Sequence, residues 1–375
     1  MKTLGAILRE PGKPRPYSVS RPLELTELEL DPPGSREVLV QLRAAGICHS
    51  DLSVVDGSRP RPTPMVLGHE AAGIVIQAGK DVTGLEIGDH VVAVFVPACR
   101  QCADCSSGRP ALCEAGNRAN GEGTLLSGLR RLHGRTQAIH HHCGISGFAQ
   151  FAVMAQSSLV RVDKSLPLDI AALFGCAVLT GVGAVMNSAR VASGQHVAVI
   201  GLGGVGMAAV LGARAAGAAS ITAIDTLPHK LEQAARLGAT ATFTADAPDL
   251  VALVREATRG GVDAAFDMSG SVRALEMAWQ LTRRGGRTVS CGLPDPGRRL
   301  SLSPAQLVAE ERILQGSYLG GGDPAVDIPR YVDWYRQGRL PVAELISARL
   351  PLERINEGMD ALATGSALRQ IIVFP

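Results

Sequence analysis

The stretch His196–Gly206, HVAVIGLGGVG, decides the fold. HVAVI is a compact apolar run of the kind a buried strand shows. Gly201, Gly203 and Gly206 follow as G-x-G-x-x-G, with Gly204 and Val205 inside the motif, and a helix of small residues is expected over Met207–Ala216. The first glycine permits a tight turn, the second lets backbone approach a pyrophosphate, and the third allows close helix–strand packing. The helix N–H groups then face the negative charge. A second strand, Ser220–Asp225 (SITAID), ends in an acid nineteen residues after Gly206. A carboxylate there accepts both adenosine-ribose hydroxyls and repels a 2′-phosphate, which favours NAD over NADP. The plainer alternative is an ordinary turn with a surface Asp, and it leaves the register of strand, glycines, helix and acid unexplained.

Outward from this core the alternation continues. A helix is expected over Leu227–Leu237, a strand over Val262–Asp267, a helix over Val272–Leu281 and a strand over Arg287–Cys291. Such alternation implies a doubly wound parallel sheet covered on both faces. Before about residue 175 the texture differs: short apolar runs (Glu37–Leu42, Gly73–Ile76, His90–Val94) stand among many Gly and Pro residues, the signature of a turn-rich β domain. Near Gly320–Gly322 the regular pattern breaks, and the tail ends in an apolar run, Gln370–Phe374, that can rejoin the first domain. The expected organisation is an α/β cofactor domain over 178–320 and a mainly β domain over 1–177 and 321–375.

Composition bounds the function. The chain has 375 residues, 46% of them hydrophobic, and a net charge of +2, which supports a large buried core and argues against nucleic acid as the main partner. Only five of the 37 basic residues are Lys, and the Arg residues are scattered among acids. No cleavable leader and no apolar run of membrane-spanning length is read, so a cytoplasmic protein without a membrane partner is expected.

Eight Cys residues cluster in a way that points to metal or catalysis rather than disulfides. Cys99, Cys102, Cys105 and Cys113 form C-x2-C-x2-C-x7-C, four thiolates that can close around one tetrahedral zinc. An iron–sulfur cluster also uses four Cys, but no adjacent Pro or further ligand set suggests electron transfer. The lobe, RQCADCSSGRPALC, has little apolar area to fold on, and metal binding supplies that energy. A second set is dispersed: Cys48 in GICHSD, His69 in LGHE and Cys176 after Gly175. Each alone reads as a core or surface residue. Together, two thiolates and one imidazole leave a fourth position open, as at a catalytic zinc, with the acids Asp51 and Glu70 at hand as acceptors for the imidazole.

These residues together resemble the medium-chain, zinc-containing alcohol dehydrogenase family, over essentially the whole chain and in the family's order. The family's Gly-His-Glu box stands here as Gly68, His69 and Glu70, with Gly73 following. The resemblance implies a GroES-like catalytic domain beside the Rossmann domain, two zinc ions per chain, and hydride transfer between an alcohol or aldehyde and NAD. It implies Cys48, His69 and Cys176 as catalytic zinc ligands, the four-Cys lobe as a structural zinc site, Glu70 as an acid that can approach the metal, and Asp51 as the group orienting His69. Ser50 would take the alcohol proton. Lys230 would assist Asp225 at the ribose, while His49 and Arg369 would meet the pyrophosphate. Phe95 and His142 fall near the substrate pocket by position, with core and surface as their respective alternatives.

Three departures stand out. Liver-type members end a proton relay in a His five residues after the first zinc Cys, where this chain has Ser53. The glutathione-dependent formaldehyde branch carries an Arg four residues after the last lobe Cys, where this chain has Asn117. That weakens the reading as a dehydrogenase of thiol adducts, which stands as the enzymatic alternative, with a non-catalytic zinc-binding protein as the alternative of another class. Finally, Glu114–Gly147 is long, which resembles dimeric members and predicts a homodimer. Its Arg130, Arg131, His133, Arg135 and His140–His142 make it the one locally basic stretch, read as a solvated loop or a contact for an anionic substrate.

Overall fold

The computed structural model describes residues 1–295 and 297–375. They form two compact units, one of Met1–Cys176, Asp323–Arg330 and Ile346–Pro375, the other of Ala177–Gly322 and Tyr331–Leu345. The second unit thus takes Tyr331–Leu345, part of the tail expected in the first domain. Tyr331 and Leu340 are fully buried and Trp334 lies 5.7 Å from the Tyr331 ring, so this stretch has apolar contacts of its own that spacing alone did not reveal.

The first unit opens with strands β1 (Lys2–Leu8), β2 (Leu23–Leu30), β3 (Glu37–Ile47), β4 (Met65–Val66) and β5 (Ala71–Ala78). It continues with β6 (His90–Ala93), β7 (Leu132–His133), β8 (Ala138–His141), β9 (Phe151–Ala155) and β10 (Leu159–Val162). Strands β1, β2, β7, β8 and β4 close into a barrel. The expected solvated basic loop therefore supplies two barrel strands, and Ile139 and Leu132 fill the barrel core. Two of its basic residues pair inside the unit: Arg131 Nε donates to Glu37 at 2.8 Å and His133 lies 2.7 Å from Asp31. His141 is fully buried, and its Nε2 accepts the Arg131 N–H at 3.0 Å.

In the second unit β11 (His196–Ile200), β12 (Ser220–Asp225), β13 (Ala241–Thr244), β14 (Val262–Asp267), β15 (Thr282–Ser290) and β16 (Ile313–Gly316) form one parallel sheet ordered β13-β12-β11-β14-β15-β16. Strands buried on both faces read as mainly apolar runs, which is why HVAVI and VDAAFD were legible. The helix after β11 starts at Gly204, three residues earlier than expected, because glycine's poor helix propensity hides the start. Gly201 adopts φ +89°, and a Cβ on Gly206 would fall 1.9 Å from the Gly201 carbonyl oxygen, so only glycine permits this approach.

The last two strands, β17 (Ile346–Leu350) and β18 (Arg369–Val373), return to the first unit, where β18 pairs antiparallel with β3, Gln370 opposite Ile47. This register sets Arg369 beside the end of β3, where the metal-ligand segment begins.

Candidate functional site

Three donors converge in the first unit. Cys48 caps the short helix His49–Val55, His69 stands between β4 and β5, and Cys176 follows a 3-10 turn over Ala172–Gly175. Their ligand atoms lie within 4.8 Å of one another, with Cys176 Sγ 3.5 Å from His69 Nε2. All three are buried. Asp51 is the fastener: its Oδ2 accepts the Cys48 N–H at 3.1 Å, while Oδ1 accepts the Gly68 N–H at 3.1 Å and lies 3.0 Å from His69 Nδ1. That bond fixes Nε2 of His69 as the free donor, as a metal ligand requires.

The electrostatics suit a cation. Burial pushes the Asp51 carboxyl up, but His69 and His142 outweigh it and hold it at about 2. Burial also resists charge on His69, yet Asp51 and Cys48 raise its pKa well above the ordinary histidine value. The bond from Cys176 drives the Cys48 thiol well down against the effect of burial, while the same bond and burial push Cys176 up. Two thiolates and a neutral imidazole are what zinc takes, and its binding here releases protons.

Glu70 and Arg369 back this set. Glu70 is fully buried, with Oε2 3.5 Å from Arg369 Nη1, which also donates to the Ile47 carbonyl at 3.1 Å. Burial disfavours charge on Arg369, but Glu70 and the two cysteines raise its pKa beyond the usual arginine value. Gly46 makes room for this pair, since a Cβ there would stand 2.1 Å from Glu70 Oε1. Phe95 sets its ring edge against His69, centroids 5.5 Å apart. His142, for which surface exposure was the alternative, is only 2% exposed and brings Nδ1 within 3.1 Å of Asp51 Oδ1. His49 is exposed and Ser50 half-buried. Ser53 Oγ donates back to the His49 carbonyl at 2.9 Å and the Ser50 carbonyl at 3.2 Å, so its proton is spent within its own helix.

The four-Cys set also gathers within 4.8 Å. Backbone N–H groups of Cys99 and Gly116 donate to Cys113 Sγ at 3.2 and 3.4 Å, and that of Cys102 to Cys99 Sγ at 3.3 Å, as around a metal-held thiolate. The bond from the Gln101 backbone leads in drawing the Cys99 thiol down to about 6. Arg100 Nη2 donates to Asp323 at 3.0 Å, which ties the lobe to the chain's tail.

In the second unit a cavity of about 420 Å³ opens at the ends of β11 and β12, lined by Gly201, Asp225, Ile224, Ser269, Arg273 and Met277 among others. Asp225 does more than face it: Oδ2 accepts the buried Leu202 N–H at 2.6 Å and Oδ1 the Leu227 N–H at 3.0 Å, with Lys230 Nζ 4.0 Å away. Its carboxylate holds the glycine turn in shape. Sequence reading placed Ile224 on a strand and Arg273 and Met277 on a helix but did not assign them, or Ser269, to the cavity, because these segments meet only through the sheet.

Comparison with known proteins gives the same picture over the whole length. Residues 34–164 match the alcohol dehydrogenase GroES-like domain family and residues 204–337 the zinc-binding dehydrogenase family. The chain is 37% identical to an alcohol dehydrogenase class-3 of Drosophila melanogaster over 96% of each. It is 36% identical to an S-(hydroxymethyl)glutathione dehydrogenase of Photobacterium damsela subsp. piscicida, covering 99% of this chain and 100% of the relative. The crystal structure of benzyl alcohol dehydrogenase from Acinetobacter calcoaceticus superposes with a TM-score of 0.93 at 31% identity, over 100% of both chains.

Proposed function

The chain belongs to the medium-chain, zinc-containing alcohol dehydrogenase family, and on that premise we propose that it oxidises alcohols to aldehydes or ketones, reversibly, with NAD as hydride acceptor. The observation that carries this reading is the convergence of Cys48, His69 and Cys176, a donor set of the kind a catalytic zinc takes, with Cys48 and His69 tied together by Asp51. Zinc held there supplies Lewis-acid polarisation of the alcohol, and the dinucleotide supplies the hydride-accepting ring.

The chain's own residues do the rest. Asp51 orients His69 and screens the buried imidazole. Glu70 and Arg369 hold each other beside the ligands, so neither buried charge stands unpaired there. Ser50, two residues from Cys48, takes the alcohol proton at Oγ, since a hydroxyl both donates and accepts. With Ser53 turned back on its helix, the proton leaves by water or by His49, whose ring is exposed. Phe95, packed against His69, forms an apolar wall for substrate. Asp225, Lys230 and the Gly201–Gly206 turn receive the adenosine ribose and pyrophosphate, and the carboxylate selects NAD over NADP. Cys99, Cys102, Cys105 and Cys113 hold a second, structural zinc.

We read the protein as a cytoplasmic homodimer. Its clustered cysteines suit a reducing compartment. Strand β16 ends the sheet with Ile313 and Leu314 exposed, beside the exposed Leu307 and Val308, an edge that pairing with a second copy would cover. No single helix among the described residues is long and apolar enough to cross a membrane. The relatives named for S-(hydroxymethyl)glutathione make a thiol adduct the second substrate class to test. A panel of aliphatic, terpenoid and aromatic alcohols and S-(hydroxymethyl)glutathione, each with NAD, separates the two: the proposal expects the greatest kcat/KM with an alcohol, and a thiol adduct ranking first would overturn it.

A further inference from the structure

Asp51 Oδ1 is oversubscribed. A carboxylate oxygen offers about two lone-pair directions. Three groups approach this one: the Gly68 N–H at 3.1 Å, His69 Nδ1 at 3.0 Å and His142 Nδ1 at 3.1 Å. His142 is not there by chance of exposure. It is 2% exposed, and its ring stands edge-on to His69 with centroids 5.4 Å apart. Yet among the described residues its Nδ1 has no well-aligned hydrogen bond, so it presses on the carboxylate off-axis while His69 and Gly68 hold the good directions.

We propose that His142 is a positioning residue for the metal ligand His69, acting through Asp51: by sharing the oxygen that orients His69, it weakens the pull of Asp51 on that imidazole. This rests on His69 being a zinc ligand. A carboxylate that accepts strongly from one imidazole nitrogen makes the other nitrogen a better donor, and such outer partners shift metal affinity by about 10–100-fold. Dividing the oxygen between two imidazoles therefore holds the metal less tightly and leaves it more electrophilic toward an alcohol oxygen. The pair Asp51–His142 sets this balance from outside the ligand set.

The test is zinc release to a chromogenic chelator from the two-zinc holoprotein, with the lobe zinc as internal standard. His142→Phe and His142→Leu both remove the ring nitrogen while filling the space, and His142→Asn keeps an N–H donor near the carboxylate. Loss of the zinc held by Cys48, His69 and Cys176 should slow by roughly tenfold in His142→Phe and His142→Leu and return toward the wild-type rate in His142→Asn, with lobe zinc release unchanged in all. If Phe and Leu release that zinc as fast as wild type or faster, or if Asn behaves like Phe, the inference fails. Wild-type protein that binds a single zinc would instead overturn the reading on which it rests.

Discussion

Replacing Asp225 with Gly is the obvious way to relax a preference for NAD, and the structure predicts what that change costs. Oδ2 accepts the Leu202 N–H at 2.6 Å and Oδ1 the Leu227 N–H at 3.0 Å. Leu227 is half-buried, so its N–H can turn to water. Leu202 is fully buried inside the glycine turn, and its N–H has nowhere else to go. Leaving one buried donor unsatisfied costs about 1–3 kcal/mol, and loss of a bond to a charged acceptor falls at the upper end of such values. The expected loss is therefore about 2–3 kcal/mol, or a midpoint lower by about 4–12 °C for a unit of this size. Denaturant unfolding of the two proteins gives the first number, and the ratio of kcat/KM with NADP to that with NAD gives the second. We expect Asp225→Gly to raise that ratio at least about tenfold, equivalent to 1.4 kcal/mol, while losing stability. A variant as stable as wild type within about 0.5 kcal/mol would show that the carboxylate does not hold the turn. An unchanged cofactor ratio would show that it does not read the ribose.

Cys105→Ser should remove one zinc of two and cost roughly 3 kcal/mol or more of stability, because a closed site supplies folding energy directly; metal analysis with thermal unfolding checks this, and full zinc content contradicts it. Ser50→Ala should lower kcat by about 100-fold or more, as loss of a positioned proton acceptor does. Ser53→Ala should cost under about 0.5 kcal/mol and little activity, since its hydroxyl serves only its own helix; equal losses in the two would make Ser53 a relay member. His141 is fully buried, and burial lowers its pKa to about 3, with nearby cations adding to the shift. Its folded pKa lies below the unfolded value, so the unfolded chain takes up the proton first as pH falls. Its contribution is intact above about pH 6.5 and is lost progressively from there toward pH 3. His141→Gln should therefore flatten the stability–pH curve across that window, and a curve as steep as wild type would refute the assignment.

What the sequence made legible follows from locality. The β11–glycine–helix–β12 unit could be read because its signals sit within thirty residues and its buried parallel strands are mainly apolar. The four-Cys lobe was legible by spacing alone. Strands β7 and β8 were not, because two- and four-residue strands inside a run of Arg and His carry no period-2 pattern, and only closure of the barrel reveals them. Nor was the burial of His142, which depends on a carboxylate ninety-one residues away in sequence. The second task of Asp225, bonding Leu202 across the turn, belongs to backbone geometry that residue types do not encode. Cys48, His69 and Cys176 could be grouped by residue type, but the family pattern was needed to assign them to one site, since 107 residues separate His69 from Cys176.

The most direct measurement of the central claim is the formation of reduced nicotinamide when zinc-loaded protein meets NAD and the alcohol panel, run in parallel with Cys48→Ser. The account predicts reduced cofactor with at least one alcohol in the wild type. It predicts a loss of at least about 100-fold in Cys48→Ser, whose fold and lobe zinc remain intact. Turnover that survives in Cys48→Ser at the wild-type rate, or no reduced cofactor with any alcohol, would contradict it.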